Sequence, residues 1–300
     1  MKTDAQLYKM MASDGQTQAT IVPERGGWIS SIILPFENGA REILYQHEHA
    51  WDEALAHLPG GSPFVFPICA RIARGEKQNK YLYDGKQYHL NIHGFSWTEK
   101  WFVESVADNS IEIVLRYNDN TLMAYPFQFE VRLRYEVQPG KLICYQTYQN
   151  QEISRKMPYY AGFHPYFLTP HAKNGKEKVI VDFKSTRRLK YNETLTDVIG
   201  EQPVLTTPIS IAAPEVNEQL NVLSDHDKLA RLIFPNGEVI KINVTQNAHY
   251  FPYLQLYTIP EKPFFCVEHW MGFPNALNSV EGVRWLKPGE RETAVYEIGV

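Results

Sequence analysis

Cysteine is scarce: Cys69, Cys144 and Cys266 are the only ones in 300 residues, none in a CxxC pair and each inside an apolar run. An odd, scattered set excludes a disulfide framework and fits buried, reduced thiols, and a chain of this length needs no staples to close a core. Long apolar stretches are absent too, with nothing near the ~20 residues of a membrane span. The first residues, Met1-Lys2-Thr3-Asp4-Ala5-Gln6, hold no apolar core of a signal peptide, so a cytoplasmic location is expected. Charge of one sign is also lacking. The net charge is −4, and the densest basic stretch, Lys173 to Lys178, is diluted by Asn174, Gly175 and Glu177. It reads as a solvated loop, which leaves neither a nucleic-acid nor a membrane partner in view. Glycine-rich phosphate loops, nucleophile elbows and dinucleotide fingerprints are missing, and Gly26-Gly27 and Gly60-Gly61 read as turns.

Strand patterns fill the space. Phe127 to Val137 alternates strictly, with Phe127, Phe129, Val131, Leu133, Tyr135 and Val137 on one side and polar residues on the other. Pro139-Gly140 then turns the chain into a second strand, Leu142 to Tyr148, which predicts an antiparallel hairpin. Further strands are predicted at Ile111–Tyr117, Val179–Phe183, Leu229–Phe234, Val239–Val244 and Tyr253–Tyr257, and a hairpin turn at Asp84-Gly85. Helical periodicity is poor, the best short candidate being Asp52–Leu58. The pattern predicts an all-β protein, a large antiparallel β-sandwich, in one domain spanning residues 1–300.

Ionisable residues set in apolar stretches need a partner or a task, because burying them is costly. His164 lies between Phe163 and Pro165-Tyr166-Phe167; it is either a core histidine bonded to backbone or a proton carrier with a desolvated ring. Glu268 ends the run Phe264-Phe265-Cys266-Val267, as a strand-end ion pair or as a general base whose pKa burial raises. His93, before Gly94-Phe95, can cap a turn or donate to a substrate oxygen. Arg71, flanked by Ala70 and Ile72, is expected to be paired or to bind hydroxyls or a carboxylate, and Arg74 to be a surface residue. His47-Glu48-His49 offers two imidazoles without a third ligand, so no metal site is predicted.

In order along the chain, Gly60-Gly61-Ser62-Pro63, Phe66-Pro67, Ala70-Arg71-Ile72, His93-Gly94-Phe95, His164-Pro165-Tyr166-Phe167, Tyr253 to Thr258, Cys266-Val267-Glu268 and Leu286-Lys287-Pro288-Gly289 resemble the aldose 1-epimerase (galactose mutarotase-like) family, in a divergent LacX-like branch. The resemblance implies a galactose mutarotase-like supersandwich and an isomerase that interconverts the α and β anomers of a free aldose with neither cofactor nor metal. It implies Glu268 as general base on the C1 hydroxyl and His164 as the acid at the ring oxygen. Arg71, His93, Gln255 and Tyr166 fall at substrate-binding positions, and Asp225, with Asp227 close by, at that of a binding aspartate. Phe95 or Trp97 would cover the apolar face of a pyranose.

The chain departs from the family pattern at Ala70, where an asparagine is usual, at Ser96-Trp97, and at His269 in place of a proline. The implied partner is a small-molecule sugar. Two other readings stay open: a hexose-6-phosphate mutarotase, and a sugar-binding protein on the same fold without turnover.

Overall fold

The structure, a computed structural model, describes residues 4–170 and 175–300. Antiparallel sheets dominate. A nine-stranded sheet runs in the order Phe102–Ala107, Ser110–Arg116, Phe129–Gln138, Lys141–Asn150, Arg291–Gly299, Val239–Asn243, Ala230–Ile233, Ile180–Asp182 and Ile209–Ser210. An eight-stranded sheet runs Val198–Gln202, Ser185–Tyr191, Gln219–Leu223, Tyr253–Tyr257, Phe264–Trp270, Gly162–Phe163 and Phe64–Val65, with Tyr166–Leu168 also pairing to Phe264–Trp270. A four-stranded sheet of the first 42 residues completes the set of larger sheets.

The predicted hairpin is present, in register from Phe129↔Asn150 to Gln138↔Lys141. Its inward residues Val131, Leu133, Tyr135 and Val137 are buried as the alternation requires. Glu130, on the nominally polar side, is also buried, and is compensated by ion pairs to Arg116 (2.8 Å) and Arg132 (2.6 Å). Aromatic rings stitch the two large sheets together: Phe66 meets Phe129 (5.1 Å between centroids), and Phe163 stacks on Tyr296 (4.6 Å). Such pairs add roughly 0.5–1.5 kcal/mol each beyond the area they bury. One buried cluster reaches from Met10 to Ile298. All three cysteines are buried and free.

Two sequence expectations fail. Asp52–Leu58 forms bends and a bridge, not a helix; seven residues ended by Pro59 are too few to nucleate one unaided. The described α-helices are short, Asp119–Ala124 and Ala276–Ser279. The basic stretch is not simply a solvated loop either. Lys173 and Asn174 lie outside the described residues, but Lys176 is only 3% exposed. Its Nζ donates to Thr258 Oγ1 (2.7 Å) and to the Ile259 carbonyl (2.8 Å), pinning the turn that precedes Phe264–Trp270. Burial pushes this lysine down to about 8. Among the described residues no helix is long and apolar enough to cross a membrane.

Candidate active site

Strand register builds the site. Gln255 pairs with Glu268, so both side chains leave the same face of adjacent strands. Across the other edge of Phe264–Trp270, Tyr166 pairs with Cys266 and Gly162 with Trp270. His164 sits midway between those two pairings and so stands opposite Glu268. Its imidazole Nε2 lies 3.4 Å from Glu268 Oε2. His164 also stacks on Tyr166 (4.7 Å, 18°), two residues on and on the same face.

Both members of this pair are buried and drawn toward their uncharged forms. Burial raises Glu268 well above the ordinary carboxylate value, and the charge of Glu218 adds to the rise. Neither Glu268 oxygen has a hydrogen-bond partner among the described residues, and the Trp270 indole offsets only part of the rise. Burial, then the neighbouring His93, holds His164 well below the usual histidine value, and its Nδ1 is unpartnered too.

His93 is fixed by a double clasp. Its backbone N–H donates to the Ala70 carbonyl (2.9 Å), and its Nδ1 accepts the Ala70 N–H (3.0 Å). A ring nitrogen that accepts from a backbone amide carries no proton, so in the neutral ring the proton is on Nε2. Burial, with Arg71 nearby, lowers His93 to about 3, which makes it a neutral donor at any ordinary pH. Its ring meets His164 edge-on at 5.0 Å. Both clasp residues have left-handed backbones, φ 64° at His93 and 71° at Ala70. Gly94 follows at φ 70°, and a Cβ there would collide with the Phe66 carbonyl. The glycine of His93-Gly94-Phe95 is therefore a close-approach residue.

Of the seven positions singled out in the sequence, Glu268, His164, Arg71, His93, Gln255 and Tyr166 line one cleft of about 430 Å³. Asp225 does not. It sits on the turn after Gln219–Leu223, its side chain 94% exposed and 3.6 Å from Lys228. Asp227 pairs instead with Lys184 (3.3 Å). An acid that does face the cleft beside the pair is Glu218, which no sequence pattern marked. Held at φ 51° just before the strand, it is raised by burial and lowered in part by Arg71. Gln255 Nε2 donates to it (3.1 Å), while Gln255 Oε1 accepts from Tyr191 (2.8 Å).

Of the two expectations for Arg71, a partner in the protein or a binding role, the first is not met: it is exposed at the cleft and has no ion pair or side-chain hydrogen bond among the described residues. Its backbone is what is held: Asn275 donates to the Arg71 carbonyl (3.0 Å), accepts from Ala73 N–H (3.1 Å) and bonds Asp197 (2.6 Å). Arg74 is a surface residue, as expected. Trp97 lines the cleft, whereas Phe95 points into the core against Phe66 and Phe129.

His164, Cys266 and Glu268 offer atoms within 4.8 Å of one another, close enough for a cation. Burial draws the Cys266 thiol and the Glu268 carboxyl toward their protonated forms, so a cation would have to displace both protons on binding. The arrangement is better suited to moving a proton.

Comparison with known proteins bears on the fold and the family. A LacX protein of Lactococcus lactis subsp. lactis is 24% identical over 245 residues, 77% of this chain and 80% of that one. The Slr1438 protein of Synechocystis sp. PCC 6803 superimposes with a TM-score of 0.81 at 26% identity, covering 99% of this chain and 96% of its own. A galactose mutarotase related enzyme of Lactobacillus acidophilus gives 0.81 at 22% identity (98% and 97%), a likeness of fold. The galactose 1-epimerase of Lactobacillus acidophilus NCFM gives 0.73 at 13% identity (100% and 97%), again a likeness of fold. The aldose 1-epimerase family model matches residues 9–299, and the chain belongs to that family.

Proposed function

We propose that the protein is a mutarotase acting on a free aldose through Glu268 and His164. The observation that carries this reading is their adjacency, 3.4 Å apart at a cleft wall. Opening a pyranose moves a proton from the C1 hydroxyl to the ring oxygen, and both oxygens are bonded to C1. An acid and a base that serve them must therefore be neighbours.

Between them the pair holds one exchangeable proton. In the form with a carboxylate and an imidazolium, Glu268 takes the hydroxyl proton as His164 protonates the ring oxygen. The C1–ring-oxygen bond breaks and an aldehyde forms. Rotation about C1–C2 and the reverse steps on the other face give the second anomer and restore the pair. Each positioned acid or base contributes roughly 10²–10⁴-fold. Burial favours the uncharged tautomer at rest, so transfer of the proton from Glu268 to His164 precedes ring opening.

Arg71, the Nε2–H of His93, Gln255 and Glu218 supply hydroxyl contacts around the ring. Polarimetry with a panel of aldoses is the test, with Glu268→Gln as control. Turnover by the native chain and none by the variant is expected; sugar binding without turnover by the native chain would make this a binding protein.

A further inference from the structure

Only one part of the cleft is used by the chemistry above. Beyond Tyr166 the wall continues as a row of imidazoles: His47 meets Tyr166 edge-on (5.2 Å), stacks on His49 (5.1 Å, 11°), and His49 meets His57 at 6.3 Å. Trp97 completes this shelf. The cleft's volume, about 430 Å³, falls within the ~300–1,000 Å³ of pockets that bury drug-sized ligands, and a single pyranose is small on that scale.

Two polar atoms on this stretch are shielded from water and unpartnered among the described residues, His49 Nε2 and Trp97 Nε1. Buried polar groups without partners are rare, and those that line a cavity are ready to bind something. The lysine and glutamate on the shelf oppose each other. Lys262 faces Glu48 at 3.8 Å, and burial, then His49 and Lys262, lowers His47 to about 4, leaving it uncharged. On this stretch a phosphate would find one lysine, already facing Glu48, whereas flat rings edged with ring nitrogens suit a polyol.

We infer that this shelf is a second sugar subsite, and that the preferred substrate is a neutral reducing disaccharide whose reducing ring meets the Glu268–His164 pair while its other ring lies along His47, His49, His57 and Trp97. The inference rests on the mutarotase reading for the reducing ring, but the shelf can be tested without turnover.

Methyl β-glycosides cannot open, so their calorimetric affinities isolate binding. Methyl β-lactoside, β-maltoside and β-cellobioside would be compared with methyl β-galactoside and β-glucoside on the native chain. At least one disaccharide glycoside is expected to bind tenfold or more tighter than its monosaccharide counterpart, and His49→Ala and His57→Ala to narrow that ratio several-fold. Equal affinities, binding of neither class, or a ratio untouched by both variants overturns the shelf, whatever polarimetry reads. Tighter binding without anomerisation keeps the shelf and removes the mutarotase reading. Preferential turnover of hexose 6-phosphates over neutral disaccharides would replace the shelf with an anion site and also overturns it.

Discussion

Replacing Glu268 with glutamine separates activity from stability in a way that depends on pH. The carboxyl is fully buried without a hydrogen-bond partner, and its pKa is well above the ordinary 4.5. The folded chain therefore binds more protons than the unfolded one between about pH 4.5 and the raised folded value, so stability falls as pH rises through that window. The slope for one proton is about 1.4 kcal/mol per pH unit. An unfolding entropy of about 2.1 cal/mol/K per residue over 300 residues converts this to about 2 °C per pH unit. Glutamine has no charge to desolvate and lacks the slope. His47, His93, His164 and His269, all depressed in the folded state, give an opposite and larger slope below pH 6.5, but it is common to both proteins apart from the coupling of His164 to Glu268. Scanning calorimetry should find the melting temperature of Glu268→Gln gaining on the native protein between pH 5 and 7, by up to about 4 °C, whatever the offset at pH 5. Over the same range anomerisation should drop by roughly 10²–10⁴-fold. A gap that stays flat with pH would mean the carboxyl is solvated after all, and near-native turnover by the variant would end its assignment as base.

Four further outcomes are expected. The acid limb of kcat/KM should have its midpoint below pH 6.5, since a second proton reaches the Glu268–His164 pair only when the depressed imidazole accepts it, and the apparent value belongs to the pair; a midpoint at or above 6.5 contradicts the burial argument. His93→Asn tolerates the left-handed backbone but withdraws the Nε2–H donor, so kcat/KM should fall about 10- to 100-fold, as for a lost hydrogen bond of 1–3 kcal/mol. Ala70→Asn places at φ 71° a residue that accepts this conformation, where alanine bears up to about 1–2 kcal/mol of strain; a raised melting temperature is predicted, and a lowered one would show that the amide has no room. Asn275→Ala keeps the backbone N–H on the Arg71 carbonyl but removes the side-chain bonds to Ala73 N–H and Asp197, and should raise KM several-fold with kcat less affected, whereas equal loss in both would point to general unfolding of the site.

The β-rich architecture was legible because strand alternation is a local signal, clearest from Phe129 to Gln138. The Glu268 and His164 candidates were legible as costly groups in apolar runs, but their adjacency was not: it depends on Phe264–Trp270 taking partners from Gly162–Phe163 and Tyr166–Leu168, 100 residues back in the chain. Glu218 was hidden for the same reason, being an ordinary glutamate in Asn217-Glu218-Gln219 until the ladder to Tyr253–Tyr257 brings it to the cleft. Asp225 misled because it lies only seven residues further on, past a strand whose end turns it to solvent. Lys176 misled because composition cannot show that one lysine of a polar stretch reaches inward to Thr258.

Gln255 and Glu268 descend from adjacent strands and His164 from the break between Gly162–Phe163 and Tyr166–Leu168 beside them, so a one-residue slip in either ladder would turn a member of the set away from the others. Insertions within those strands are thus forbidden to a descendant that keeps the reaction. The loops carrying His49, His57 and Lys262 lie outside those ladders and are under no such constraint, so they can vary while the pair is inherited unaltered.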